Sequence, residues 1–90
     1  MTRRLVTVVG SVQGVGFRWF VKQSADAMRL SGWVRNREDG SVELEVEGSA
    51  DLLDKFVEGL RDGNPSAIVE KLSVVTVAPR GGSGFEIRRG

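Results

Sequence analysis

Leu5-Val6-Thr7-Val8-Val9-Gly10-Ser11-Val12-Gln13-Gly14-Val15-Gly16-Phe17-Arg18 changes structural character twice. Leu5 to Val9 is rich in β-branched residues and stops at Gly10, the pattern of a short buried strand. From Phe17 onward, Phe20, Val21, Ser24, Ala25 and Met28 recur at three- and four-residue spacing. Lys22, Gln23, Asp26 and Arg29 fall between them, which predicts an amphipathic helix. The glycine-punctuated turn that joins strand to helix is suited to an anion. Glycine has no Cβ, so backbone N–H groups around Gly14 and Gly16 can crowd one oxyanion. A helix starting near Arg18 adds unpaired N–H groups and a positive dipole end. The Arg18 guanidinium supplies a planar fork of donors that matches phosphate oxygens. An arginine at a helix start opposes the macrodipole, so its place there favours an anionic ligand over a purely structural role.

The elements downstream follow from the same periodicities. The helix ends before Ser31-Gly32, and Trp33 to Arg37 reads as a second strand. Asp39-Gly40 is a hairpin signal, and Ser41 to Glu47 alternates Val42, Leu44 and Val46 with Glu43, Glu45 and Glu47. That alternation predicts a third strand with one wet, acidic face. Ser49 is suited to cap a second helix with Asp51 in its first turn, and Leu52, Leu53, Phe56, Val57 and Leu60 form its apolar stripe. Gly63-Asn64-Pro65 closes it. Ile68 to Val77 is a fourth strand, broken by Pro79, Gly81, Gly82 and Gly84 before a short final strand at Phe85 to Arg88. The order β-α-β-β-α-β with a terminal strand predicts an α+β, ferredoxin-like α/β sandwich, two helices covering one face of an antiparallel sheet. Many unrelated activities use that fold, so function rests on the site.

Composition narrows the chemistry. Ninety residues, 40% hydrophobic and 28% charged, are expected to form one domain over residues 1–90. Thirteen basic and twelve acidic side chains leave a net charge of +1. That lacks the broad positive field of a nucleic-acid binder, so a small anion is the expected partner and nucleic acid is not. Cysteine and histidine are absent. There is accordingly no disulfide, no thiolate nucleophile and no imidazole base or zinc ligand. Catalysis must then rest on Arg, Asn, carboxylates, Ser/Thr or backbone groups. No apolar stretch approaches the roughly 18 residues of a membrane span, and a cytoplasmic location is the default expectation.

Rival motifs fit less well. Gly14-Val15-Gly16-Phe17-Arg18-Trp19 begins like a dinucleotide fingerprint, but Trp19 stands at the third glycine. The Gly-Lys-Ser/Thr of a phosphate-binding P-loop is missing. Gly14 to Phe20 loosely resembles the aromatic RNP1 pattern of RNA-binding modules, yet it leads from a loop into a helix rather than along a central strand. A non-catalytic sensor of phosphorylated metabolites stays open as a third class. Phe17 suits the core, and Trp19 and Trp33 suit the core or its edge better than a stacking platform. Asn36 has a bland reading as an exposed residue ahead of the hairpin. Glu43, Glu45 and Glu47 form no convincing catalytic dyad.

Three segments carry a family resemblance. Gly10-x-Val12-Gln13-Gly14-Val15-Gly16-Phe17-Arg18, then Gly32-Trp33-Val34-Arg35-Asn36 and Asp39-Gly40-Ser41-Val42-Glu43, are similar to the two signature regions of the acylphosphatases. The similarity extends to Gly63-x-Pro65-x-Ala67 and to the Phe85-Glu86-Ile87-Arg88 ending. It implies hydrolysis of the carboxyl–phosphate bond of acyl phosphates with no metal and no cofactor. By the same resemblance Arg18 would bind the phosphate and Asn36 would position the attacking water. The backbone of Gly14, Val15, Gly16 and Phe17 would help to bind the substrate. Ser11 departs from the family, which commonly has arginine there, and so weakens the local positive field.

The residues suit that chemistry in their own right. A carboxylate leaves phosphorus with little protonation, so no histidine acid is needed. Donors at Gly14 to Arg18 meet the charge on the phosphoryl oxygens by preorganisation and in-line positioning. The Asn36 amide can hold a water but is no base at neutral pH, which assigns the proton to a phosphate oxygen of the substrate. Inorganic phosphate or sulfate is expected to occupy the same loop, and the chain is expected to be a monomer.

Overall fold

The computed structural model describes residues 1–89. Their order is β1 (Thr2–Ser11), α1 (Phe17–Ala27), β2 (Ser31–Asn36), β3 (Val42–Gly48), α2 (Ala50–Asp62), β4 (Ile68–Val77) and β5 (Phe85–Arg88). The strands lie in the sheet order β4-β1-β3-β2-β5. Since β1 sits between β3 and β4, its ladder takes in Arg3 and Arg4 as well as the β-branched run. Pairing on both sides therefore makes β1 longer than Leu5 to Val9.

The α+β sandwich matches the sequence expectation, with one correction. The sheet is mixed, not wholly antiparallel: β1 to β4 pair antiparallel, while β5 pairs parallel with β2. The chain leaves β4 at one edge and crosses through Pro79 to Gly84. It enters β5 at the far edge, running in the direction of β2.

Both helices bury their apolar stripes on one face of the sheet. Phe17, Val21 and Ala25 of α1 and Leu53, Phe56 and Leu60 of α2 meet Val6, Val8, Val34, Val42, Leu44 and Val46. Ser49 caps α2, its hydroxyl accepting from the Leu52 N–H at 3.3 Å, and Asp51 complements the dipole in the first turn. Leu52 is exposed and lies outside the buried stripe.

The helix-free face differs from the wet acidic surface that strand alternation predicts. Arg3 stands opposite Glu47 in the β1–β3 register, and Glu47 is only 3% exposed. The Arg3 guanidinium donates to Glu45 at 2.6 Å and to Glu47 at 3.3 Å, and Arg35 pairs with Glu43 at 2.7 Å. Glu47 also accepts the N–H groups of Arg80 at 2.7 Å and Gly81 at 3.0 Å, which ties the β4–β5 loop to the sheet. The Arg80 N–H bond above all, aided by Gly81 and Arg3 and opposed by burial, holds this carboxyl below its ordinary pKa. Trp33 is buried on the same face with Arg88 over its ring at 4.8 Å and Arg35 at 5.8 Å.

Candidate active site

The approach to the site begins at Gly10. The β1–β4 register shifts between Val9 and Gly10, and Gly10 has φ 145°. A Cβ there would lie 2.1 Å from the Ile68 carbonyl oxygen, so only glycine admits this close pairing. The bulge bends the end of β1 and aims the following loop across the sheet toward β2.

Gln13 fastens that loop. Its side-chain amide donates to the carbonyls of Arg37 at 2.7 Å and Ser41 at 2.9 Å, both in the β2–β3 hairpin. Asp39 stiffens the hairpin by accepting from the Ser41 hydroxyl at 2.6 Å and the Ser41 N–H at 2.9 Å. The hydroxyl bond, followed by the N–H bond, lowers the Asp39 pKa. Gln13 lies within the glycine motif, but its partners are a helix and a strand away in sequence, 24 and 28 positions on, so local pattern does not reveal its role.

The start of α1 is bare. Gly16, its N-cap, is left-handed at φ 75° and ψ 18°, and no side chain caps the helix. Phe20 N is the N–H that closes on the Gly16 carbonyl, at 3.0 Å. The N–H groups before it are left without intrahelical partners. No acid stands in the first turn; Arg18 does. In the same molecule α2 has both a serine cap and an aspartate. Arg18 forms no ion pair among the described residues, and its hydrogen bond to the Arg88 carbonyl is long at 3.5 Å.

Asn36 faces these donors. It follows Val34 by two residues on β2 and shares its helix-covered side of the sheet. The Asn36 Oδ1 is buried and has no hydrogen-bond partner. A buried carbonyl of this kind invites a donor such as water. Val12, Gly14, Gly16, Phe17, Arg18, Trp19, Asn36 and Ile87 line a single concavity of about 180 Å³. Arg18 and Asn36, 18 positions apart in sequence by their numbers, thus share one cavity with the glycine turn. Val15 does not line it; its side chain packs partly buried against the core. The Phe17 side chain is 1% exposed, so what it offers a ligand is backbone. Val12, Trp19 and Ile87 also line the cavity, although the sequence gives no signal that assigns them to a site. A wider depression of about 400 Å³ under the β4–β5 loop contains neither Arg18 nor Asn36, and its Arg3 and Arg88 are already paired with carboxylates.

The fold defines an α+β, ferredoxin-like protein whose uncapped helix end, arginine and unsatisfied amide oxygen suit a tetrahedral oxyanion and a water. Comparison with known proteins supplies the family. The Acylphosphatase family profile matches residues 5–87. An acylphosphatase of Bacillus subtilis is 47% identical over 74 residues, covering 82% of this chain and 81% of that protein. An acylphosphatase of Methanospirillum hungatei is 43% identical over 90 residues, covering 99% of each. The crystal structure of acylphosphatase from Bacillus subtilis superposes with a TM-score of 0.94 at 43% identity, covering 98% of this chain and 99% of that one. The chain belongs to the acylphosphatase family, as the motifs implied, and it is an enzyme of that family.

Proposed function

We propose that this enzyme hydrolyses acyl phosphates to a carboxylate and inorganic phosphate without a metal. Arg18 and the backbone of residues 14–18 bind the phosphoryl group, and Asn36 holds the attacking water. The water oxygen forms a bond to phosphorus as the bond from phosphorus to the carboxylate oxygen breaks. One water proton passes to a phosphoryl oxygen, and the electron pair leaves on the carboxylate. The donors at the start of α1 meet the charge spread over the equatorial oxygens, a task that needs positioning more than covalent chemistry.

The observation that carries this reading is that Asn36, whose Oδ1 is buried and unpaired, lines the same cavity as an uncapped helix that bears Arg18 in its first turn. The residues that resemble RNP1 stand on the loop and on α1, so that segment offers no strand platform for stacking bases. The test is release of inorganic phosphate from benzoyl phosphate with and without a chelator. Equal turnover in both is expected. Turnover abolished by the chelator, or none at all in the folded protein, refutes the proposal.

A further inference from the structure

Trp19 is 55% exposed although it sits in the first turn of α1 between the buried Phe17 and Val21. It takes no part in the hydrophobic core, so packing does not explain an indole there. A single exposed aromatic is ordinary on a protein surface. This one lines the same concavity as Arg18 and Asn36, and Ile87, itself 36% exposed, lines it too. Ile87 pairs with Val34 in the β2–β5 register, which puts it on the helix-bearing side beside α1. Val12 completes an apolar wall that neither phosphoryl binding nor water positioning uses.

Size points the same way. The concavity of about 180 Å³ is several times the roughly 30 Å³ share of one water in the liquid. A four-atom phosphoryl group and one water leave part of it empty, and the wall that remains includes the apolar side chains of Trp19 and Ile87. In-line displacement also sets the leaving carboxylate opposite the attacking water. With the water held at Asn36 and the phosphoryl group against residues 14–18, the acyl group is left the remaining wall of the cavity, where Trp19 and Ile87 stand.

We infer that Trp19 and Ile87 form the acyl subsite and make this enzyme selective for aromatic and larger apolar acyl phosphates over acetyl phosphate. The inference rests on the acyl phosphate reading above and adds the substrate class. The indole face and the isoleucine remove the acyl carbons from water, so selectivity enters through binding rather than through the chemical step.

The test compares kcat and KM for benzoyl phosphate and acetyl phosphate in the wild type, Trp19→Ala and Trp19→Phe, with inhibition by inorganic phosphate as a second readout. The two carboxylates are similar leaving groups, so the ratio of kcat/KM between the substrates reports how the acyl part is held. Trp19→Ala should lower that ratio about tenfold through KM for benzoyl phosphate, and Trp19→Phe should restore most of it. The phosphate inhibition constant should move less than about twofold, because phosphate lacks an acyl group. A wild type that hydrolyses both substrates, with a ratio unchanged in Trp19→Ala, overturns the acyl subsite alone. Phosphate inhibition that weakens in step with benzoyl phosphate also overturns it, since Trp19 would then serve the phosphate cradle. A folded wild type that hydrolyses neither substrate overturns the proposed function, and the acyl subsite falls with it.

Discussion

Replacing Asn36 with alanine should lower turnover and leave the fold as stable as before, or slightly more so. In the wild type the Asn36 Oδ1 is buried with no partner in the protein. An unsatisfied buried carbonyl costs about 1–3 kcal/mol, and a bound water recovers part of that. Deleting the group relieves the remainder but gives up the packing of a small amide, so the unfolding free energy should change by between zero and about +1 kcal/mol. In a chain of this size +1 kcal/mol raises Tm by about 4–8 °C. Turnover should move the other way. A misplaced nucleophile costs about 10²-fold, equivalent to about 2.7 kcal/mol of barrier. Asn36→Asp is the companion variant: it keeps an acceptor for water but sets a negative charge beside an anionic substrate. It should lose about as much activity, and salt should rescue it only partly, because a water-poor site is screened weakly. The assay is benzoyl phosphate turnover measured beside thermal unfolding for each variant. Wild-type turnover in folded Asn36→Ala would refute the water-positioning role. A Tm lower by about 10 °C or more would show instead that the side chain secures the end of β2.

Arg18→Lys keeps the charge and loses the planar fork, so turnover should fall about 10²-fold or more with folding intact; near-normal kinetics would reduce Arg18 to a general positive charge. Inorganic phosphate and sulfate should inhibit competitively, and amide chemical shifts on titration should centre on Gly14 to Arg18; shifts concentrated on Glu43 to Glu47 would move the site elsewhere. The folded pKa of Glu47 is lowered, so its contribution to stability is present above its ordinary value of 4.5 and is lost as pH falls through the lower folded value. Glu47→Gln should therefore be less stable than wild type at pH 7 and lose less on acidification from about pH 5 to pH 3; parallel Tm profiles would refute the role given to the Arg80 and Gly81 contacts.

Much of the fold was legible as local pattern. β4 and β5 fall where alternation and glycine breaks place them, and the Ser49 cap of α2 is where side-chain chemistry requires it. These features depend on residues a few positions apart, and such spacing is visible in a linear chain. The family motifs likewise named Arg18, Asn36 and the glycine turn as a set. Pairing between distant segments was not legible. The glutamates of β3 read as a wet face because alternation carries no information about Arg3, which the β1–β3 register brings to Glu47 across 44 positions. The parallel entry of β5 depends on how the loop after β4 crosses the sheet, which glycine and proline content does not specify. At the site, the sequence by itself determined which groups were available: a glycine turn, an arginine at a helix start and an amide at a strand end. Only the tertiary structure decided that Gln13 ties the loop to the hairpin, that Asn36 lines the cavity with its amide oxygen left unpaired, and that Trp19 stands at the cavity wall instead of in the core. The physical reason is that a side chain's partners are set by the register and packing of whole elements, and a local sequence pattern specifies only the face on which that side chain begins.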